Sequence, residues 1–339
     1  MRRLTQLQRD LAANLGARFW SMLLNLLAVP IYLRHLGAEA YGLIGLMLVL
    51  ENLSALMDSG LGLTLNREMA RRGIRTTGDD PTWRDTRRDF LATLQLAHWA
   101  LALVCASLVF FGAPLIAQHW VQAKVLDPGM IASCLRWMSL SVAGSVIFSF
   151  YQGGLFGAGQ QVSVNVVVIL FSTLRLGGCM ALLTFVTPAP ATFFAVQGIT
   201  LAAQAATSGL LLWHLLPRDG QRARTDLRYI KQVWSFAAVV SGNAFLTAAV
   251  SQALNVVLSR TLSLGDFGYY TIAGSVAGTL WAVALPLTAP FFPRFAELWA
   301  QGETRRLAEI YHRASQLVTV AVAPLAVILA TFANHLLMI

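Results

Sequence analysis

The chain has few charged residues. Asp, Glu, Lys and Arg make up 12% of its 339 residues, whereas soluble domains carry about 25%. Hydrophobic residues make up 56% of the chain, and the mean hydropathy is +0.61. Apolar runs of about 20 residues recur along the whole sequence. This pattern excludes a soluble protein with a single anchor and predicts a polytopic membrane protein.

The sequence also lacks the signatures of several chemistries. The three cysteines, Cys105, Cys134 and Cys179, lie far apart in apolar runs, which excludes a disulfide framework and metal-ligand spacing. No Gly-rich phosphate-binding motif for ATP is present. No cleavage site follows the N-terminal residues, so we expect the first span to stay as an uncleaved insertion signal. We therefore expect no metal site, no cofactor and no enzymatic activity.

The apolar runs predict an all-α transmembrane bundle of about nine spans. We expect a first six-helix lobe over residues 1–216, a basic linker over 217–232 and a partial second lobe of three spans over 233–339. The predicted spans are 14–32, 42–63, 90–111, 134–156, 162–186, 192–216, 233–258, 267–292 and 315–337. Residues 294–313 predict an amphipathic helix before the last span.

The basic residues are concentrated in the loops on one side of the predicted bundle. Lys and Arg number 25 against 16 acidic residues, and most of them lie in residues 1–13, 66–89, 217–232 and 294–313. Cytoplasmic loops of membrane proteins carry such an excess. We therefore place the N-terminus in the cytoplasm and attribute the charge to membrane topology rather than to nucleic-acid binding.

Two predicted outer turns resemble each other. The segment from Leu36 to Tyr41 and the segment from Leu264 to Tyr269 both read Leu-Gly-x-x-x-Tyr, and each follows a span that carries an asparagine near its start. Six spans separate them, so the two repeats share one orientation, as in transporters whose halves are related by an axis along the membrane normal. The second repeat then contains the equivalents of three spans only, which favours a truncated chain.

Polar residues inside the first span predict a wet cavity. Asn14, Arg18, Ser21 and Asn25 lie on one helical face, and an arginine at the bilayer centre costs on the order of 3 kcal/mol. The alternative for Arg18 is an interfacial side chain that extends to the lipid headgroups.

Other polar residues lie inside later spans. Glu51 and Asp58 lie in span 2, where Glu51 is a candidate for ion coupling and Asp58 for an ion pair with Arg18. Arg175 lies in the middle of span 5. Asn243 and Asn255 belong to a polar stripe in span 7. We expect this stripe either to bind sugar hydroxyls or to join helices.

The chain resembles the polysaccharide-biosynthesis flippases (Wzx-like O-antigen and exopolysaccharide transporters) of the multidrug/oligosaccharidyl-lipid/polysaccharide exporter superfamily. The resemblance rests on Asn14 through Pro30, Arg34 through Gly37, Tyr41-Gly42, Met57 through Gly62, Gln152 through Gly159, Leu264 through Tyr269 and Pro290 through Pro293. It implies two six-helix lobes around a cationic cavity in a bacterial inner membrane. It also implies alternating access that carries an undecaprenyl-pyrophosphate-linked oligosaccharide to the outer leaflet.

On this interpretation Arg18, Asn25, Arg175, Asn243 and Asn255 bind the substrate, and Glu51 and Asp58 act in coupling or gating. The expected partners are the lipid-linked oligosaccharide, the bilayer and the polymerase or chain-length machinery. One alternative is a multidrug or cation antiporter of the same superfamily, which requires an acidic cavity. A membrane glycosyltransferase or polymerase is less favoured, because that class needs a sizeable outer loop.

Overall fold

The computed structural model describes residues 2–74, 82–186, 189–216, 223–288 and 301–331, together with positions 291, 295, 298 and 299. These residues form helices, and their only strand-like contact is one isolated bridge between Gln122 and Ser263. The helices are α1 (Arg2–Ile74), α2 (Thr82–Leu115), α3 (Pro128–Gly157), α4 (Gln161–Ser172), α5 (Gly178–Phe185), α6 (Pro190–Leu215), α7 (Leu227–Thr261), α8 (Leu264–Thr288) and α9 (Thr304–Thr331). The all-α prediction is confirmed.

Six of the described helices are long and apolar enough to cross a membrane, or seven if one bent pair in α7 is counted as a span. The chain is therefore a multi-pass membrane protein. One of the six, Ala12–Ser54, contains 43 residues and covers most of the first two predicted spans. The total of nine spans, the six-helix repeat and the division into lobes stay predictions.

The helix α1 bends sharply at Gly37, inside the predicted turn between spans 1 and 2. Gly37 has φ 80° and ψ 172°, a backbone conformation that glycine adopts without a Cβ clash. Both arms of α1 pack on α8: Gly45 lies against Thr271, and Asn25 shares a cavity with Ser275. Since α8 is a single helix, both arms run away from Gly37 in the same direction, and α1 is a hairpin.

Local signals explain where several other helices begin. Asp127 caps α3 by accepting a hydrogen bond from the Gly129 N–H (2.8 Å), with Pro128 in the first turn. Asp226 caps α7 in the same way through the Arg228 N–H (2.9 Å). Pro190 begins α6, where its missing N–H costs nothing.

Two π-helical segments interrupt the regular helices. Ile116–Trp120 extends α2, and Thr173–Gly177 joins α4 to α5. The second segment carries Arg175 and lies within predicted span 5, so that span is α-helical at its two ends and π-helical in between. Single-turn π segments occur frequently at functional sites.

The last described helix corrects one predicted boundary. The sequence predicts an amphipathic helix over residues 294–313 and a separate span from 315, but α9 runs without a break from Thr304 to Thr331. Its first turns carry ion pairs between Arg306 and Glu303 (2.9 Å) and between Arg305 and Glu309 (3.7 Å). A charged start and an apolar continuation therefore belong to one helix.

The largest buried cluster holds the first half of the chain together and extends to α8. It joins α1, α3, α5 and α6 and includes Leu264, Phe267 and Ile272 of α8. A second cluster ties the far end of α1 to α2, α3 and α6 around Phe90 and Phe150. Burial of such side chains is the main stabilising term in the packed parts of the bundle.

Candidate functional site

A polar cleft lies between the α1 hairpin and the α7–α8 pair. It consists of two cavities of about 240 Å³ and 350 Å³ that share Ser275. The first is lined by Met22, Asn25, Leu26, Val29, Tyr41, Ser275, Gly278 and Thr279. The second is lined by Gly45, Leu48, Val49, Asn52, Gln252, Asn255, Phe267, Tyr270, Thr271, Gly274 and Ser275. We call the two together the central cleft.

The polar side chains of the central cleft are neutral. Asn25 Nδ2 donates to the Ser21 carbonyl (2.8 Å). Asn255 Nδ2 donates to Gln252 Oε1 (2.9 Å), and the Tyr270 hydroxyl donates to Asn255 Oδ1 (3.2 Å). Amides and hydroxyls both donate and accept hydrogen bonds. The lining can therefore pair with the hydroxyl groups of a sugar.

The structure brings together two of the predicted site residues, Asn25 and Asn255, in the central cleft. Sequence reasoning missed Asn52, which faces the same space from the second arm of α1. The sequence pattern could have identified Asn52, because Gly45, Leu48, Val49 and Asn52 follow the i, i+3, i+4, i+7 spacing of one helical face. The adjacent Glu51 drew the interpretation to a different face of that helix.

Arg175 and Glu51 form a second polar group, inside the packing of α1 against the π-helical segment. The Arg175 guanidinium acts electrostatically on the Glu51 carboxyl, and the Tyr32 hydroxyl donates to the Leu176 carbonyl near them (3.3 Å). Arg175 Nε and Glu51 Oε1 are buried, and neither atom has a hydrogen-bond partner. Both side chains therefore keep hydrogen-bonding capacity that the described residues do not use.

Arg18 does not line the central cleft. Its side chain is exposed and forms no hydrogen bond or ion pair with any described residue. The neighbouring stripe residues pack on α4: Asn14 Oδ1 accepts from Asn165 Nδ2 (2.6 Å), and the Ser21 hydroxyl donates to Ser172 Oγ (3.2 Å). Two residues of the stripe thus join helices, and the guanidinium between them projects into open space.

Two predicted site residues remain, Asn243 and Asp58. Asn243 is exposed, and its carbonyl accepts the Thr247 hydroxyl (2.9 Å); it is not among the residues that line the two cavities. The side chain of Asp58 lies outside the described residues. Among the side chains that the structure does describe, no group of three or more His, Cys, Asp or Glu could hold a metal ion.

The loop after α2 binds the α1 bend at the Gly37 end of the bundle. Glu39 accepts the backbone N–H groups of Lys124 (2.7 Å), Val125 (3.0 Å) and Leu126 (2.8 Å). Three successive N–H groups on one carboxylate fix the course of this loop, because hydrogen bonds to a charged acceptor are the strong ones.

The same loop binds the α7–α8 turn. The Leu264 N–H donates to the Gln122 carbonyl (2.8 Å), and Gln122 Nε2 donates to the Arg260 carbonyl (2.9 Å). Trp120 Nε1 donates to the Ser259 hydroxyl (3.1 Å), and the Arg260 guanidinium lies 5.3 Å from the centre of the Trp120 ring. We call these contacts of Glu39, residues 120–126 and residues 259–264 the clasp.

Glycines bring α1 and α8 into backbone contact next to the clasp. A Cβ on Gly42 would collide with the Leu264 carbonyl, and a Cβ on Gly268 would collide with the Ala38 carbonyl. These residues lie in or next to the two segments of the predicted repeat, which therefore face each other across one interface. The clasp and this interface close the central cleft at the Gly37 end.

A protein-family model described as "Polysaccharide biosynthesis protein" matches residues 7–299. The match spans the α1 hairpin, both walls of the central cleft and the clasp. It agrees with the family resemblance that the sequence motifs indicated. No curated protein and no solved structure matches the chain.

Proposed function

Because the chain belongs to the polysaccharide biosynthesis protein family, a family of flippases rather than enzymes, we propose that it carries an undecaprenyl-pyrophosphate-linked oligosaccharide across a bacterial inner membrane by alternating access. Transport runs from the inner to the outer leaflet, with the N-terminus in the cytoplasm. The lipid tail stays in the bilayer, and the sugar passes between the α1 hairpin and α7–α8. The product then reaches the polymerase or chain-length machinery.

The central cleft is the observation that carries this proposal. Its lining combines amides such as Asn25 and Asn255 with hydroxyls such as Tyr270 and Ser275. An oligosaccharide needs many neutral hydrogen-bond partners, and a site of this kind discriminates strongly against analogues that lack the matching hydroxyl. Walls from two separate parts of the chain also allow the cleft to open and close by rigid-body movement.

Two guanidinium groups serve the pyrophosphate. Arg18 is exposed and unpaired among the described residues, so it is available to meet a headgroup at the entry. Arg175 lies deeper, where its buried Nε has a free donor. Guanidinium suits this ligand because it stays protonated and offers several donors to phosphate oxygens. Glu51 competes with the pyrophosphate for Arg175, and we propose that ion coupling acts through Glu51. Asp58 acts in gating.

The clasp supports the assignment of sides. The described basic residues Arg67, Arg71 and Arg88 lie on α1 and α2 at the end of the bundle opposite Gly37, and cytoplasmic loops carry the positive excess. With the Gly37 end on the periplasmic side, the clasp closes the central cleft toward the periplasm. This is the arrangement of a transporter that receives its substrate from the cytoplasmic leaflet.

The described cavities give no support to a cation antiporter. Neither cavity lining contains an Asp or a Glu side chain, whereas a cationic substrate needs an acidic partner to offset its desolvation. Glu51 is already attracted to Arg175. A neutral hydrogen-bonding cleft, with Arg18 and Arg175 in other parts of the first half of the bundle, fits an anionic glycolipid better.

Complementation of a flippase-null strain by the natural gene tests the proposal. We expect Arg18→Ala, Arg175→Ala and Asn255→Leu to reduce surface polysaccharide strongly, because they remove a phosphate partner or a cleft amide. The matched control is Asn243→Leu, an exposed asparagine of the same helix outside the two cavities. Immunoblots verify equal membrane levels. Normal export in all three site variants would overturn the proposal.

A further inference from the structure

A third cavity lies on the outside of the first half of the bundle, away from the central cleft. It is a groove of about 450 Å³ between α2, α3 and α6. Its floor consists of small residues, among them Ala143, Gly144, Ala206 and Gly209. Gly144 lets the α3 backbone touch α6 at Ala202, so no side chain fills the groove at that crossing. It shares no lining residue with the central cleft.

The groove opens onto an exposed apolar surface, which in a membrane-spanning bundle meets lipid. Trp99 and Leu210 stand at its rim and are 48% and 73% exposed. The lining runs from Ala202 to Trp213 along α6, which corresponds to roughly 16 Å of helix. The hydrocarbon core of a bilayer is about 30 Å thick, so the groove has the length of one leaflet.

A group of polar and charged side chains lies at one end of the groove. Trp213 Nε1 donates to Gln95 Oε1 (2.8 Å), and the guanidinium of Arg88 lies 5.5 Å from the centre of the Trp213 ring. Arg88 Nε is buried and has no hydrogen-bond partner. Arg88 also forms no ion pair with a described residue. The Arg88 guanidinium, whose Nε has no hydrogen-bond partner, therefore lies at the end of an apolar groove that is as long as one leaflet.

We propose that this groove binds an anionic phospholipid of the leaflet on the Arg88 side. One acyl chain lies along the small residues of α3 and α6, and the phosphate lies at Arg88. The length of the groove selects a chain of a single leaflet. The buried donor of Arg88 selects an anionic phosphate, since charge-assisted bonds to phosphate are the strong ones for arginine. Trp213 provides the interfacial aromatic ring that membrane proteins place at this depth.

Native mass spectrometry of the full chain with added lipid tests this site. The probes are dioleoyl phosphatidylglycerol and dioleoyl phosphatidylcholine. Ala206→Phe fills the groove, and its control is Ala203→Phe, an exposed alanine on the same helix outside the lining. Arg88→Gln removes the cation, and its control is Arg228→Gln, an exposed arginine. Ala206→Leu is a smaller filling variant that replaces Ala206→Phe if that protein does not fold.

We expect the first phosphatidylglycerol molecule to bind about fivefold more weakly to Arg88→Gln, as for the loss of one cation near a membrane surface. Filling the groove abolishes this bound molecule, and both controls bind as the unaltered protein does. Unchanged binding in the filled variant would overturn the proposal, as would equal affinity for phosphatidylcholine. Displacement of the bound lipid by equimolar polyprenyl phosphate would instead assign the groove to the substrate chain and also overturn it.

Discussion

Arg175 and Glu51 attract each other inside the first half of the bundle, but no hydrogen bond joins them. Arg175 Nε and Glu51 Oε1 are both buried without a partner, although each side chain lies within electrostatic reach of the other. Each charge offsets part of the desolvation cost of the other. The relationship ties together two residues that the sequence assigned to different roles, substrate binding and ion coupling.

This relationship predicts strong coupling between substitutions of the two residues. Arg175→Gln and Glu51→Gln should each lower the free energy of unfolding by about 2–3 kcal/mol, because each leaves one buried charge without its partner. The double variant should be less destabilised than the sum of the two. Equilibrium unfolding of the purified protein in detergent measures all four states. Strictly additive losses would show that the two charges do not sense each other.

Arg18 is expected to behave in the opposite way. Its side chain is exposed and contacts no described partner, so Arg18→Gln should change the free energy of unfolding by less than about 0.5 kcal/mol. Export of polysaccharide in the complemented strain should nevertheless fall, because the entering pyrophosphate loses its first guanidinium. A variant that unfolds easily, or one that exports normally, would contradict this separation of stability and function.

The sequence was a good guide to features that depend on local patterns. Long apolar runs predicted the helices, and the predicted turn between the first two spans contains the bend at Gly37, since only a local backbone conformation is needed there. The polar spacing in α7 likewise led to Asn255, which lines the central cleft. Periodicity identifies the face of a helix, but it does not identify what that face meets.

Features that depend on tertiary packing were not predictable. Asn14 and Ser21 share a face with Arg18, yet they pair with Asn165 and Ser172 of α4, and only the fold reveals that partner. Glu39 was one residue of an expected turn, and nothing in its neighbourhood indicated that it would accept three N–H groups from residues 124–126. Contacts between distant segments leave no periodic signal in a single sequence.

The glycine contacts beside the clasp predict a position-dependent effect of alanine. Gly268→Ala places a methyl group against the Ala38 carbonyl, and overpacking against rigid backbone costs about 1–3 kcal/mol. Gly278→Ala on the same helix meets nothing within 4 Å, so it should be neutral or slightly stabilising. Thermal unfolding of both variants compares the sites directly. Equal effects would mean that α8 does not approach α1 this closely.

The bridge between Gln122 and Ser263 permits a direct test of whether the clasp must open. Paired backbones lie about 4.8 Å apart, which falls in the Cα separation that a disulfide accepts. A Gln122→Cys/Ser263→Cys double variant should therefore crosslink readily under oxidising conditions. The three natural cysteines are buried and free, so they contribute little background.

If transport requires separation of residues 120–126 from 259–264, the crosslinked protein should stop exporting polysaccharide, and a membrane-permeant reductant should restore export. The two single-cysteine variants, treated in the same way, control for the substitutions and for the oxidant. Gel mobility after proteolytic cleavage between the two positions reports the crosslinked fraction. Full export by a completely crosslinked protein would mean that the substrate leaves the central cleft without opening the Gly37 end. The clasp would then be a fixed hinge and not a gate.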